Sequence, residues 1–123
     1  MPDNAHTTIR LGDIVRTPPG DLYGDALAIV TKIHKGHYET AVTVHSQRAE
    51  LVYEPDQLRT VATIKIVRSY SIGPRRFTAC RVEPQGVEVH VCVGERGNGY
   101  ETRALEVRKL VFIELLKRQE KAT

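Results

Sequence analysis

The sequence predicts a mainly β protein that ends in a helix. From about residue 9 the chain is a series of short apolar segments separated by turn residues, the spacing of a small barrel or sandwich. Only from Leu105 onward do apolar residues recur at helical intervals. The 123 residues and 13.8 kDa suit one domain or two very small ones. Hydrophobic residues at 41% and charged residues at 27% are the composition of a globular chain rather than a disordered one.

The first nine or so residues are polar and expected to fray. A short strand follows around Ile14-Val15. Thr17-Pro18-Pro19-Gly20 ends it, because proline donates no hydrogen bond to a ladder. Gly20 to Asp25 reads as a loop, Ala26 to Ile33 as a second strand, and Lys35-Gly36 as its end. Tyr38 to His45 alternates, which places Tyr38, Thr40, Val42 and Val44 on one face. Leu51-Val52-Tyr53 makes a fourth strand, Glu54 to Leu58 a single helical turn, and Arg59 to Thr63 one more short strand.

Within this half, Leu11-Gly12-Asp13-Ile14-Val15, Gly24 to Ile33, Ala41 to Val44 and Tyr53-Glu54-Pro55-Asp56-Gln57-Leu58 together resemble an SH3-like barrel of the Tudor or KOW type. Such barrels commonly open on a Gly-Asp-apolar-Val strand and carry a Pro-x-x-Leu turn before the closing strand. The resemblance covers about residues 8 to 63 and implies a module that binds peptides, methylated residues or nucleic acid. A methyl-lysine cage needs several clustered aromatics, and this half offers Tyr23, Tyr38 and Tyr53. Fold alone does not supply function. The expected organisation is therefore an SH3-like barrel over residues 1–63, extended over residues 64–123 by a β-hairpin and a C-terminal helix; the alternative is a single continuous sheet with one helix.

In that second half, Thr63 to Ser71 alternates, with Ile64, Ile66 and Arg68 on one face and Lys65, Val67 and Ser69 on the other, until Gly73-Pro74 breaks it. Phe77 to Glu83 and Val87 to Val93 flank Pro84-Gln85-Gly86, a hairpin signal. A three-residue turn there pairs Glu83 with Val87, Arg81 with Val89, Ala79 with Val91 and Phe77 with Val93. The four valines then form the core stripe, and Cys80, His90 and Cys92 share the opposite face. Gly94 to Gly99 reads as a loop, Tyr100 to Ala104 as a last strand, and Leu105 to Lys121 as the helix, with Glu106 early and Lys117, Arg118 and Lys121 late, as its dipole favours.

Charge divides unevenly. Residues 1–66 carry seven basic and eight acidic side chains; residues 67–123 carry eleven and seven, and eight of those eleven are arginine. Arg68, Arg75, Arg76 and Arg81 are the densest basic cluster, with Arg75-Arg76 expected in a loop. Guanidinium groups grip phosphates or carboxylates bidentately, and the neighbouring Tyr70 and Phe77 belong to the side chains that stack on bases. A surface paired with Glu83 and Glu88 explains the same arginines.

Thiolates and imidazole are zinc's preferred ligands. But Cys80, His90 and Cys92 form no Cys-x-x-Cys pair, and alternate strand positions lie about 6.5 Å apart, loose for one ion, so no metal or other cofactor is expected. His34 and His37 read as turn histidines. Gly94, Gly97 and Gly99 match no phosphate loop, and no nucleophile or paired-carboxylate motif occurs. The longest apolar run, Ala26 to Val30, is far short of a membrane span of about 20 residues. No leader pattern precedes it, and two cysteines are too few for a disulfide scaffold. These features point to a cytoplasmic, non-enzymatic binding protein. Its expected partner is nucleic acid, through Arg68, Tyr70, Arg75, Arg76 and Arg81; the alternative is an adaptor or inhibitor of a nucleic-acid machine, such as phages and plasmids encode. The apolar girth of the C-terminal helix, with Phe112, Leu115 and Leu116, adds the expectation of a homodimer.

Overall fold

The computed structural model describes residues 9–21, 24–95 and 103–122. Among the described residues the chain is mainly β: seven antiparallel strands in the order β4-β3-β2-β1-β5-β6-β7, with one C-terminal helix. The sheet ends at β4 and β7 and does not close on itself. It divides into two compact units, residues 1–61 and 62–123, with the division falling inside β5.

The first unit holds β1 (Ile14–Arg16), β2 (Leu27–Lys35), β3 (Thr40–Ser46) and β4 (Glu50–Tyr53). Its core is Val15, Ala28, Val30, Val42, Val44, Tyr53 and Leu58. Alternation places these residues on one face, and Ile14 and Ile29, paired across β1 and β2, are also buried. Val42 and Val44 are core residues as their spacing implies, but Tyr38 is 91% exposed. It precedes β3, in the turn, where its ring meets His37 edge-on at 4.5 Å. The expected helical turn is a 3-10 turn, Pro55–Gln57. Glu54 and Gln57 cap it reciprocally, and proline opens it where no N–H is needed. Between β1 and β2 the chain passes so close to itself that a Cβ on Gly24 would lie 2.3 Å from the Pro19 carbonyl oxygen.

In the second unit the two strands expected over 59–63 and 63–71 are one, β5 (Arg59–Ile72), because nothing between them interrupts the extended pattern. Gly73 and Pro74 then make a two-residue turn into β6 (Arg75–Glu83), and Gly73 takes φ 59°, open to glycine without steric cost. Arg75 and Arg76 therefore lie in a strand rather than a loop. A bulge at Val67, between Ile66 and Arg68, moves Arg68 onto the face of Lys65, opposite to the face strict alternation assigns it.

The hairpin of β6 with β7 (Val87–Glu95) forms, one residue out of the expected register. The last ladder pair is Val82 with Val87, so four residues, not three, make the connection, and the Gly86 N–H donates to the Val82 carbonyl at 2.8 Å. A one-residue slip exchanges the faces. Cys80 now pairs with Val89 and Thr78 with Val91, all buried, whereas His90 and Cys92 pair with Ala79 and Phe77. Cys80, His90 and Cys92 do not share a face.

The helix α1 (Ala104–Ala122) packs on β7. Val107, Val111 and Phe112 are buried, and the Arg108 guanidinium donates from Nε to the Ile64 carbonyl of β5 at 2.8 Å. Phe112, at 3% exposure, is a core residue and is unavailable to a second copy. Ile113 is 48% exposed, and Leu115 and Leu116 are half-buried. Of the expected Gly94–Gly99 loop and Tyr100–Ala104 strand, Gly94 and Glu95 continue β7 and Ala104 begins α1; residues 96–102 lie outside the described residues, as do residues 1–8.

Candidate nucleic-acid interface

One face of β5–β6–β7 is covered by core and helix; the other gathers the chain's chemistry. The register places Lys65, Arg68 and Tyr70 of β5 on this outer face, with Arg75, Phe77, Ala79 and Arg81 of β6 and Glu88, His90 and Cys92 of β7. Of the five residues expected to bind, four meet there. Arg76 pairs with Ser71, out of phase with Tyr70 and Phe77, and belongs to the opposite face.

At the centre Tyr70 and Phe77, a cross-strand pair, stack with centroids 5.5 Å apart and planes 14° from parallel. The Arg68 guanidinium lies 5.2 Å from the Tyr70 ring centre, a cation–π distance. Both rings are half-buried, and Ala79 between the strands' charged positions is fully buried.

A hydrogen-bonded chain fixes the Tyr70 ring. Its hydroxyl lies 2.6 Å from His90 Nδ1, and His90 Nε2 lies 2.7 Å from Glu88 Oε2. A carboxylate only accepts, so His90 carries a proton on Nε2, and in the neutral ring Nδ1 is then the acceptor for the tyrosine hydroxyl. The His90 hydrogen bond is the main influence holding the Glu88 carboxyl below its ordinary range; the charges of His90, Arg68 and Arg81 add to it, against some desolvation.

Among the described residues, no ion pair within 4.0 Å engages Arg68, Arg75 or Arg81. The face thus presents four exposed cations, Lys65, Arg68, Arg75 and Arg81, around an aromatic pair, with the carboxylates of Glu83, Glu88 and Glu95 among them. His90 and Glu88, the residues that orient Tyr70, were not legible as a pair with it, because the expected register placed His90 beside Cys80. Cys92 is exposed, while burial pushes the Cys80 thiol up despite the opposing charge of Arg108. Among the described residues no three His, Cys, Asp or Glu side chains are grouped to hold a metal ion. His34 is exposed on β2, its Nε2 2.8 Å from Thr43 Oγ1. No helix of the described residues is long and apolar enough to cross a membrane. Neither a protein-family model, a curated protein nor a solved structure matches the chain.

Proposed function

We propose that the protein is a non-enzymatic, cytoplasmic nucleic-acid-binding module and that the outer face of β5–β6–β7 is its contact surface. The observation that carries this reading is the convergence of Lys65, Arg68, Arg75 and Arg81 around the Tyr70–Phe77 stack on one exposed face. Guanidinium groups supply bidentate phosphate contacts, and these account for most non-specific affinity. A labelled oligonucleotide titrated at low and at moderate salt tests it: binding that weakens steeply with salt is expected, and no binding at either salt overturns it. A stoichiometric protein partner that survives nuclease treatment of a lysate would favour the adaptor or inhibitor reading instead.

The first unit we read as an SH3-like barrel. Support comes from the order β4-β3-β2-β1-β5, which sets the last strand beside the first, and from the 3-10 turn that leads into β5. The C-terminal helix we read as the contact of a homodimer, supported by Ile113 at 48% exposure beside half-buried Leu116. Light scattering at tens of micromolar checks this; a mass near 13.8 kDa removes the dimer.

A further inference from the structure

The same face also bears on which form of nucleic acid it takes. In a duplex the π-faces of the bases are covered by their neighbours, and only edges and phosphates are offered to a protein. A ring stack on a sheet face finds its complement in unpaired bases, whose planes are free. Tyr70 and Phe77 form such a stack, and the Arg68 guanidinium over the Tyr70 ring extends it by a planar group on which a base can lie.

The strand pairing points the same way. A two-stranded ribbon enters the major groove, which is about 12 Å wide. Among the described residues no such ribbon projects from this face, because β7 accompanies β6 from Val82–Val87 to Arg75–Glu95, along almost its whole length. Three strands about 4.8 Å apart, with their side chains, make a face too broad for that groove.

The hydrogen-bonded chain through His90 to Glu88 adds pre-organisation. With its hydroxyl held, the Tyr70 ring loses little freedom when a base stacks on it. We propose, building on the nucleic-acid reading above, that this face binds single-stranded nucleic acid, with bases stacked on the Tyr70–Phe77 pair and the backbone held by Lys65, Arg68, Arg75 and Arg81. His90 and Glu88 are positioning residues that act through Tyr70.

The test uses the full chain and three labelled probes at one low salt concentration: a single strand of about ten nucleotides, its duplex, and an abasic strand of equal length. The single strand is expected to bind roughly tenfold more tightly than either other probe, the scale of one stacked base. Tyr70→Leu brings the single strand down by roughly that factor and leaves the abasic probe unchanged, whereas Tyr70→Phe keeps the stacking ring but loses its tie to His90, so its single-strand affinity falls between those of wild type and Tyr70→Leu. Equal binding of all three probes, tighter binding of the duplex, or indifference to a folded Tyr70→Leu variant overturns the inference and leaves the nucleic-acid reading standing. Failure of every probe to bind overturns that reading itself. If Tyr70→Leu does not fold, Phe77→Leu and the wild-type comparison of single and abasic strands decide the question.

Discussion

At Tyr53, burial and a neighbouring carboxylate act in the same direction. The ring belongs to the core of the first unit and its hydroxyl donates to Asp21 Oδ2, so both desolvation and the acceptor's charge disfavour the phenolate. Its pKa is pushed up from the ordinary 10.0 to about 12. The folded chain then holds this proton more tightly than the unfolded chain does. The resulting stability is fully present below pH about 10 and is lost as pH rises through about 12. Tyr53→Phe removes a hydrogen bond to a charged acceptor and is expected to cost about 1.5 kcal/mol at neutral pH. Urea unfolding of both proteins across the alkaline range checks it: the gap between them should stay constant to pH about 10 and narrow above. A gap independent of pH would mean that Asp21 and burial do not govern this hydroxyl. The strand that carries Tyr53 was readable from the apolar run that Tyr53 ends, but the hydroxyl's partner lies 32 residues away in a loop, beyond any local pattern.

Elements were legible where side-chain period and turn residues agreed. β1 to β4, the 3-10 turn, the β6–β7 hairpin and the helix all follow from them. What escaped was register, because a face depends on counting every residue between two strands. Four connecting residues instead of three at 83–86, and one extra residue at Val67, reversed the faces of Cys80 and Arg68. The same two counts decided the site. The arginine cluster and Tyr70 stood out in the sequence, but Arg68 and Tyr70 join Lys65 and Arg81 on the outer face only through the bulge, and His90 reaches Tyr70 only in the observed register. The two cysteines report that register directly. Cys80 is buried on the helix side with its thiol pushed up by desolvation, whereas Cys92 is exposed on the outer face. A thiol reagent added to the native protein should titrate one cysteine per chain promptly and the second only on unfolding. Cys92→Ser should abolish the prompt phase and Cys80→Ser should leave it. Two cysteines of equal reactivity would return both to a common face.

At the scale of the molecule, charge is partitioned between the units. Residues 1–61 carry six Lys and Arg against eight Asp and Glu, net −2; residues 62–123 carry twelve against seven, net +5. A net charge of +3 therefore understates the positive field of the second unit, and a polyanion is drawn to that unit first. On its outer face Lys65, Arg68, Arg75 and Arg81 are exposed together, whereas Arg76 belongs to the other face. Each phosphate neutralised on a single strand adds about 0.7 to the steepness with which log affinity falls against log salt. Four engaged cations imply a slope of about −3. Arg81→Gln should flatten that slope by about 0.7. Arg76→Gln removes the same formal charge and should leave the slope unchanged, because the strand directs its side chain away from the ligand. Titrations of wild type and both variants at four salt concentrations measure the three slopes. Equal flattening by the two substitutions would show that net charge alone draws the polyanion, and the outer face would lose its claim to be the surface of contact.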